Sequence, residues 1–226
     1  YAVAEDGKVY VTLYSGNLAR LDAKTLAFEK MVAVGNNPEQ LVEEDGKLYV
    51  VNSGWGYDNR LSIIDLRTFE SAEHVTIMTN PQRIIEVNDC IFIQGYGAAY
   101  PDPYTYPVQL YDRQTKTVST IGQGTHMAEY GNKLYVVYCS TADWVNYTTT
   151  FYTYDTRTRQ KSETSFLKDA PAELTTGNVY MLEVNPENGD IYVGVTYYAA
   201  GEGDIYRFKA DGTFVGKFES GGQGPN

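Results

Sequence analysis

The sequence predicts an all-β fold, a β-propeller built of four-stranded antiparallel blades, and three observations predict it. One unit recurs along the chain: an apolar run, a loop, a second apolar run and a closing aspartate, plainest in the stretch GKLYVVNSGWGYDNRLSIID from Gly46 to Asp65. The closing aspartates Asp22, Asp65, Asp112 and Asp155 stand 43, 47 and 43 residues apart, a period in the forties that suits one propeller blade. Leu48–Val51 and Leu134–Val137 are continuously apolar rather than alternating, as strands covered on both faces are. Blades stacked face to face provide that environment.

Taken in order, the first blade opens with a short strand from Ala2, turns at Asp6-Gly7, continues as Lys8–Tyr14, and after a short loop Ser15–Asn17 runs through Leu18–Leu21, the turn Asp22–Thr25 and Phe28–Val34. The second follows Asn37-Pro38 with Gln40–Glu44, the turn Asp45-Gly46, Leu48–Asn52, Leu61–Ile64 and Asp65–Thr68. Asn80-Pro81 opens the third, which has its own turn at Asp112–Thr115. The fourth shows Gly131-Asn132, Leu134–Tyr138, Phe151–Tyr154 and Asp155–Thr158. An insertion near Ala170–Gly177 precedes the fifth, which comprises Val179–Val184, Ile191–Thr196, Ile205–Phe208 and Asp211-Gly212; Gly224-Pro225 reads as the threshold of a sixth. The result is one domain, 1–226, with blades at about 1–36, 37–79, 80–123, 124–170 and 171–226. Gly, Pro, Asn and Asp punctuate the runs, β-branched and aromatic residues fill them, and no long helical pattern is present. Each turn aspartate is placed to accept hydrogen bonds from backbone N–H groups of its own turn, which makes these residues structural rather than catalytic.

Composition narrows the function classes. At 226 residues and 42% hydrophobic, the chain can bury a sizeable interior. Its formal charge of -11, from 29 acidic and 18 basic residues, repels nucleic-acid phosphate and anionic lipid. No run reaches the roughly 18 apolar residues that span a bilayer, so a transmembrane chain is not expected. Tyr1 starts without a charged or apolar leader, as a mature or trimmed product would. Cys90 and Cys139 are too few for a disulfide framework and read as buried free thiols.

In a four-stranded blade the turn between the first two strands shares a face with the turn between the last two, and the other connections share the opposite face. Here the first group is short and polar. The loops between second and third strands, Ser53–Asn59, Gly95–Pro107, Ser140–Thr149 and Tyr197–Gly203, hold both tryptophans and a concentration of tyrosines. The candidate ligand-binding residues are therefore Trp55, Tyr57, Tyr96, Tyr100, Tyr104, Trp144, Tyr147, Tyr197 and Tyr198, with Tyr106 beside them. Rigid aromatic surface with a polar handle suits sugars, macrocycles or protein partners. Some of these rings instead pack on Pro101, Pro103 and Pro107 to hold a long loop. At the entry to the innermost strands, Glu39, Gln82 and His126 align at one level and Gln40, Arg83 and Met127 at the next, making Glu39, Arg83 and His126 candidates for a channel mouth.

Chemistry-bearing motifs are sparse. His74 belongs to an outer strand, so His126 has no second ligand at metal spacing, and no metal or cofactor is expected. No GxSxG elbow appears, neither cysteine has a histidine partner in view, and the glycine-rich Gly221–Gly224 lacks the Lys-Ser/Thr of a phosphate loop. Asp and Glu are plentiful, so a carboxylate pair for glycoside cleavage stays open.

The grammar of Asn37-Pro38, a strand, Asp45-Gly46-Lys47, Leu48–Gly54, a loop and Ser62–Thr68 resembles the YVTN-type β-propeller repeat, and especially exported surface propellers of Gram-negative gut anaerobes. The resemblance covers essentially the whole chain. It implies a seven-bladed propeller, and in one group a lipid-anchored surface protein that captures cobalamin for a TonB-dependent transporter. Five repeats are present, so the chain is expected to be a fragment of a larger propeller, with closure of five blades as the alternative. Three readings follow: an exported, non-enzymatic propeller, in the periplasm or at the outer-membrane surface, that binds a small molecule or glycan such as cobalamin; a scaffold docking an outer-membrane transporter or other envelope partner; and a lyase or glycosidase at the channel mouth.

Overall fold

In the computed structural model, residues 1–97, 105–197 and 201–222 are described. They form five four-stranded antiparallel sheets, each a meander in which sequential strands lie side by side. These are the blades of a β-propeller. Blade 1 holds β1 (Ala2–Glu5), β2 (Lys8–Leu13), β3 (Asn17–Asp22) and β4 (Phe28–Ala33); blade 2 holds β5 (Pro38–Glu44), β6 (Lys47–Asn52), β7 (Arg60–Asp65) and β8 (Ala72–Thr76). Blade 3 holds β9 (Pro81–Val87), β10 (Cys90–Gly95), β11 (Pro107–Asp112) and β12 (Thr117–Gln123); blade 4 holds β13 (His126–Tyr130), β14 (Lys133–Thr141), β15 (Tyr147–Asp155) and β16 (Gln160–Ser162). One helical turn, α1 (Glu173–Thr176), precedes blade 5, which holds β17 (Asn178–Val184), β18 (Ile191–Thr196), β19 (Asp204–Phe208) and β20 (Phe214–Glu219). The chain divides into two compact units, Tyr1–Gly122 and Gln123–Asn226.

Local turn chemistry sets the hairpins. Asp6-Gly7, Asp45-Gly46 and Asn88-Asp89 are two-residue turns with both residues at positive φ, the backbone twist that matches flanking strands. The turn aspartates behave as the sequence predicts. Asp22 Oδ1 accepts from the N–H groups of Lys24 and Thr25 at 3.1 and 2.9 Å, Asp112 Oδ1 from Gln114 and Thr115 at 2.9 and 3.0 Å, and Asp155 Oδ1 from Arg157 and Thr158 at 2.9 and 3.0 Å. Asp65 Oδ1 accepts from Arg67 at 2.8 Å. A second regularity lies four residues on: Leu26, Phe69, Lys116 and Arg159 all adopt left-handed φ, between 46° and 56°. A bulky side chain is costly there. Phe69 offsets that cost by being fully buried, 5.5 Å from the Tyr10 ring and beneath the Arg20 guanidinium.

Within the first unit, apolar layers fill the spaces between blades 1 and 2, around Leu18, Leu48 and Ile64, and between blades 2 and 3, around Val51, Ile91 and Ile93. Arg113 clasps the latter pair of blades, reaching Glu44 at 3.0 Å and Asp45 at 2.6 Å while its Nε donates to the Tyr49 hydroxyl. In the second unit, Val137, Phe151, Leu174, Val193 and Phe208 form the layer between blades 4 and 5. Cys90 and Cys139 are buried free thiols.

Candidate functional site

The Trp55 loop leaves β6 at Asn52 and is folded by glycine and by one buried carboxylate. Gly54, Trp55 and Gly56 form a single 3₁₀ turn with φ of 53°, 57° and 90°. A Cβ on Gly54 would fall 2.6 Å from the Asp58 Cβ, so only glycine fits. Ser53 Oγ donates to Glu39 Oε1 at 2.8 Å, which ties this candidate from the innermost strand to the loop. Asp58, 4% exposed, accepts from the backbone N–H groups of Asn36, Asn59 and Arg60 and from the Arg60 guanidinium, whose Nη2 lies 2.6 Å away. Burial pushes this carboxyl up, but the Arg60 and Asn36 hydrogen bonds outweigh it and hold the group below the usual carboxylate range. The Asp58 carbonyl also accepts from Asn80 N–H at 2.9 Å, so the loop is bonded to the connections on either side of blade 2. What this frame presents is Trp55, 70% exposed, and Tyr57, 93% exposed. Exposed Tyr14, at the end of β2, meets Trp55 edge-on at 6.3 Å.

The Trp144 loop in blade 4 contains no glycine and folds on itself. Asp143 Oδ1 accepts from the N–H groups of Val145 and Asn146 at 3.0 and 2.8 Å, and Oδ2 from the Asn146 side chain at 2.6 Å. The Asn146 and Val145 amides hold its carboxyl down to about 2. Trp144 has φ of 61°, its N–H donates to Thr141 Oγ1 at 2.9 Å, and its carbonyl accepts from the Tyr147 hydroxyl. Trp144 and Val145 are 64% and 76% exposed.

The other candidates divide. Tyr96 is partly exposed and stands edge-on to Tyr106 at 5.3 Å. Tyr197 packs on the core between blades 4 and 5 and donates to Asp204 at 3.1 Å, where Lys217 also binds; burial, then bonding to Tyr206 and Asp204, pushes its hydroxyl well up. Tyr100, Tyr104, Tyr198, Pro101, Pro103, Gln223 and the Gly224-Pro225 threshold lie outside the described residues. On the innermost strands, Gln82 donates to Asn80 Oδ1, Gln40 Oε1 accepts from Ile84 N–H, and Met127 is buried. Arg83 is exposed with no carboxylate partner among the described residues. His126 Nδ1 lies 3.1 Å from Thr125 Oγ1, and its ring is 6.2 Å from Tyr180. Sequence reasoning missed Tyr14, hidden beside a short loop, and Asp58, whose only local signal is Arg60 two residues on.

Two constellations look chemical and are structural. Glu44, Asp45 and Asp89 bring carboxylate oxygens within 4.8 Å of one another, but the Arg113 guanidinium supplies the cation between them, 2.9 Å from Asp89. Ser62 Oγ lies 3.1 Å from His74 Nδ1 and accepts from Asn52 Nδ2 at 2.9 Å, yet Ser62 is fully buried and out of reach of a substrate. Asn52 in turn abuts Gly35, where a Cβ would fall 2.5 Å from its Cγ.

No protein-family model matches the chain, and no curated protein matches it. Solved structures do. Hydrazine synthase of Kuenenia stuttgartiensis is similar at 16% identity with a TM-score of 0.64, over 91% of this chain and 62% of that one. BamB from Moraxella catarrhalis is similar at 14% identity and a TM-score of 0.61, over 98% and 61%, and the computationally designed Ika8 protein at 10% and 0.56, over 99% and 74%. The chain thus spans about three fifths of the length of the first two. At these identities the likeness concerns the fold, and that fold is the β-propeller.

Proposed function

We propose that the chain is a non-enzymatic docking module that holds a protein partner of the cell envelope through its aromatic loops. The observation that carries this is the presentation of the two tryptophans. Each stands at the tip of a second-to-third-strand loop, largely exposed and in left-handed backbone, and exposed aromatic anchors on a rigid frame are what interface hot spots are made of. The propeller fold supports a scaffold, since blades fix loops without committing them to a reaction. The resemblance to exported surface propellers supports an extracytoplasmic setting, with an outer-membrane transporter as the partner class.

The test is cross-linking capture from envelope extract with wild type, Trp55→Ala and Trp144→Ala. The expected result is a partner recovered by wild type and lost with Trp55→Ala or with Trp144→Ala. Capture that both variants retain overturns the reading. Calorimetry with cobalamin and representative glycans is the second arm: binding that depends on the tryptophans replaces docking with the small-ligand reading that the family resemblance implies.

A further inference from the structure

Blade 4 is incomplete at its outer edge. In blades 1, 2 and 5 the fourth strand pairs with nearly all of the third: Asn17–Leu21 against β4, Arg60–Ile64 against β8 and Asp204–Phe208 against β20. In blade 4, β15 pairs with β14 along its whole length, from Tyr147↔Thr141 to Asp155↔Lys133, but β16 pairs only with Thr153, Tyr154 and Asp155. Among the described residues no strand pairs with the outer side of Thr148–Tyr152.

The chain that would have filled this lane is drawn elsewhere. After Ser162, Phe166 stacks edge-on against Tyr135 and Phe151 at 5.1 and 5.5 Å. Lys168 N–H then donates to the Gly212 carbonyl at 2.8 Å, in a bridge of Lys168 to Thr213 at the β19–β20 turn. α1 follows, packed against β15, with Leu174 buried in the layer between blades 4 and 5. Alternate N–H and C=O groups of a strand point to its two neighbours, so alternate residues of Thr148–Tyr152 direct theirs away from β14, to the side where no strand among the described residues pairs with them.

Natural edges are blunted by lysine, proline, bulges or shortness. Thr148–Tyr152 carries no charge and no proline, its pairing with β14 runs without a register shift, and Thr148 and Thr150 are exposed. Its sequence, Thr-Thr-Thr-Phe-Tyr, favours a pleated strand.

We propose that Thr148–Tyr152 is a strand-addition site that accepts an extended, β-prone segment of a partner protein, about five residues long, as the missing outer strand of blade 4. This rests on the docking reading and gives it a mode. The added strand runs up to the hairpin tip, where Trp144 and Val145 offer its end an apolar contact. A single extended segment fits where a second copy of this chain does not. Two-fold pairing over Thr148–Tyr152 would put residue 147 of one copy in the position that Ser162 of the other holds opposite Thr153.

The experiment is amide hydrogen exchange by NMR on the full chain, with a threonine–valine alternating octapeptide bearing a lysine at each end as the probe. Alternate amides of Thr148–Tyr152 are expected to exchange at least ten-fold faster than those of Thr153–Asp155 in the free chain, and to slow at least ten-fold with peptide. The same peptide N-methylated at alternate residues is expected to have no effect. Uniformly slow exchange in the free chain, equal protection by both peptides, or protection only elsewhere overturns the proposal. Trp144→Ala is run in parallel and is expected to keep the protection, because main-chain bonds carry it. Peptide pairing without any tryptophan-dependent partner leaves the edge and removes the aromatic docking reading; a tryptophan-dependent partner without peptide pairing does the reverse.

Discussion

In the Trp55 loop the organising carboxylate is buried and bonds outward, from Asp58 to Asn36 and Arg60, while in the Trp144 loop it is exposed and bonds only inward, from Asp143 to Val145 and Asn146. Both constructions end with a tryptophan in left-handed backbone at an exposed tip. The difference teaches where each loop's order comes from. The first is part of the packing between blades and stands or falls with it; the second is a self-contained turn set on a hairpin. The sharpest way to break this distinction is to remove the two carboxylates. Asp58→Ala leaves the partly exposed Arg60 guanidinium and three backbone N–H groups without their acceptor, and leaving such donors unsatisfied costs about 3 kcal/mol. Urea unfolding of the variant is expected to show that loss, with Asp58→Asn intermediate because one acceptor oxygen remains. An unchanged midpoint for Asp58→Ala would erase the distinction.

Gly54→Ala probes the same region with a smaller expected effect. The added methyl meets the Asp58 Cβ at 2.6 Å and sits on backbone with φ of 53°, so overpacking and strain together cost about 1–3 kcal/mol. The Trp144 loop has no counterpart, since no glycine lies in it. Expected alongside the lower unfolding midpoint is a red shift of Trp55 emission in a Trp144→Phe background, as the loop gives way.

What was legible in the sequence follows the same division between local and distant causes. The blades were legible because their signals are local: Asp22, Asp65, Asp112 and Asp155 each close a turn with their own neighbours. The exposed tryptophans were legible because Gly54 and Gly56 flank one, and a polar loop carries the other. Asp58 was not legible, because its meaning depends on Asn36, 22 residues away on the previous connection. Nor was Tyr197, which stands where a recognition residue would stand but turns its hydroxyl inward to Asp204. A ring at a strand end has two faces to choose from, and the choice is made by partners that sequence order does not bring together. The open edge of β15 has the same origin, since it is Phe166 and Lys168, on the following segment, that pull the chain off the sheet.

Replacing each tryptophan by glycine separates stability from recognition. Left-handed φ costs a residue with a Cβ about 1–2 kcal/mol, and the greater unfolded-state entropy of glycine returns about half of that. Trp55→Gly and Trp144→Gly are therefore expected to lose no stability, with a gain of up to ~1 kcal/mol in chemical denaturation. The variant in the loop that holds the partner should abolish capture. A marked loss of stability in either variant would mean that its indole holds the fold, and would remove that loop from the binding surface.

The smallest global effect belongs to Asp143, and its pH dependence fixes how self-contained the second loop is. Its carboxyl is held down to about 2 in the folded loop by the Asn146 and Val145 amides, against an ordinary value of about 4 in an unfolded chain. A depressed carboxylate contributes order that is fully present above the unfolded value and is lost as pH falls through the folded one. In Trp55→Phe, where Trp144 is the one tryptophan left of the chain's two, emission is expected to stay constant from pH 7 to about 4 and to change as pH falls toward about 2. Asp143→Ala should reproduce that acid-state emission at pH 7 and speed exchange of the Val145 and Asn146 amides, while leaving the global unfolding midpoint where it is in wild type. A midpoint that drops with Asp143→Ala would show that the Trp144 hairpin, like the Trp55 loop, is tied into the packing of its blade.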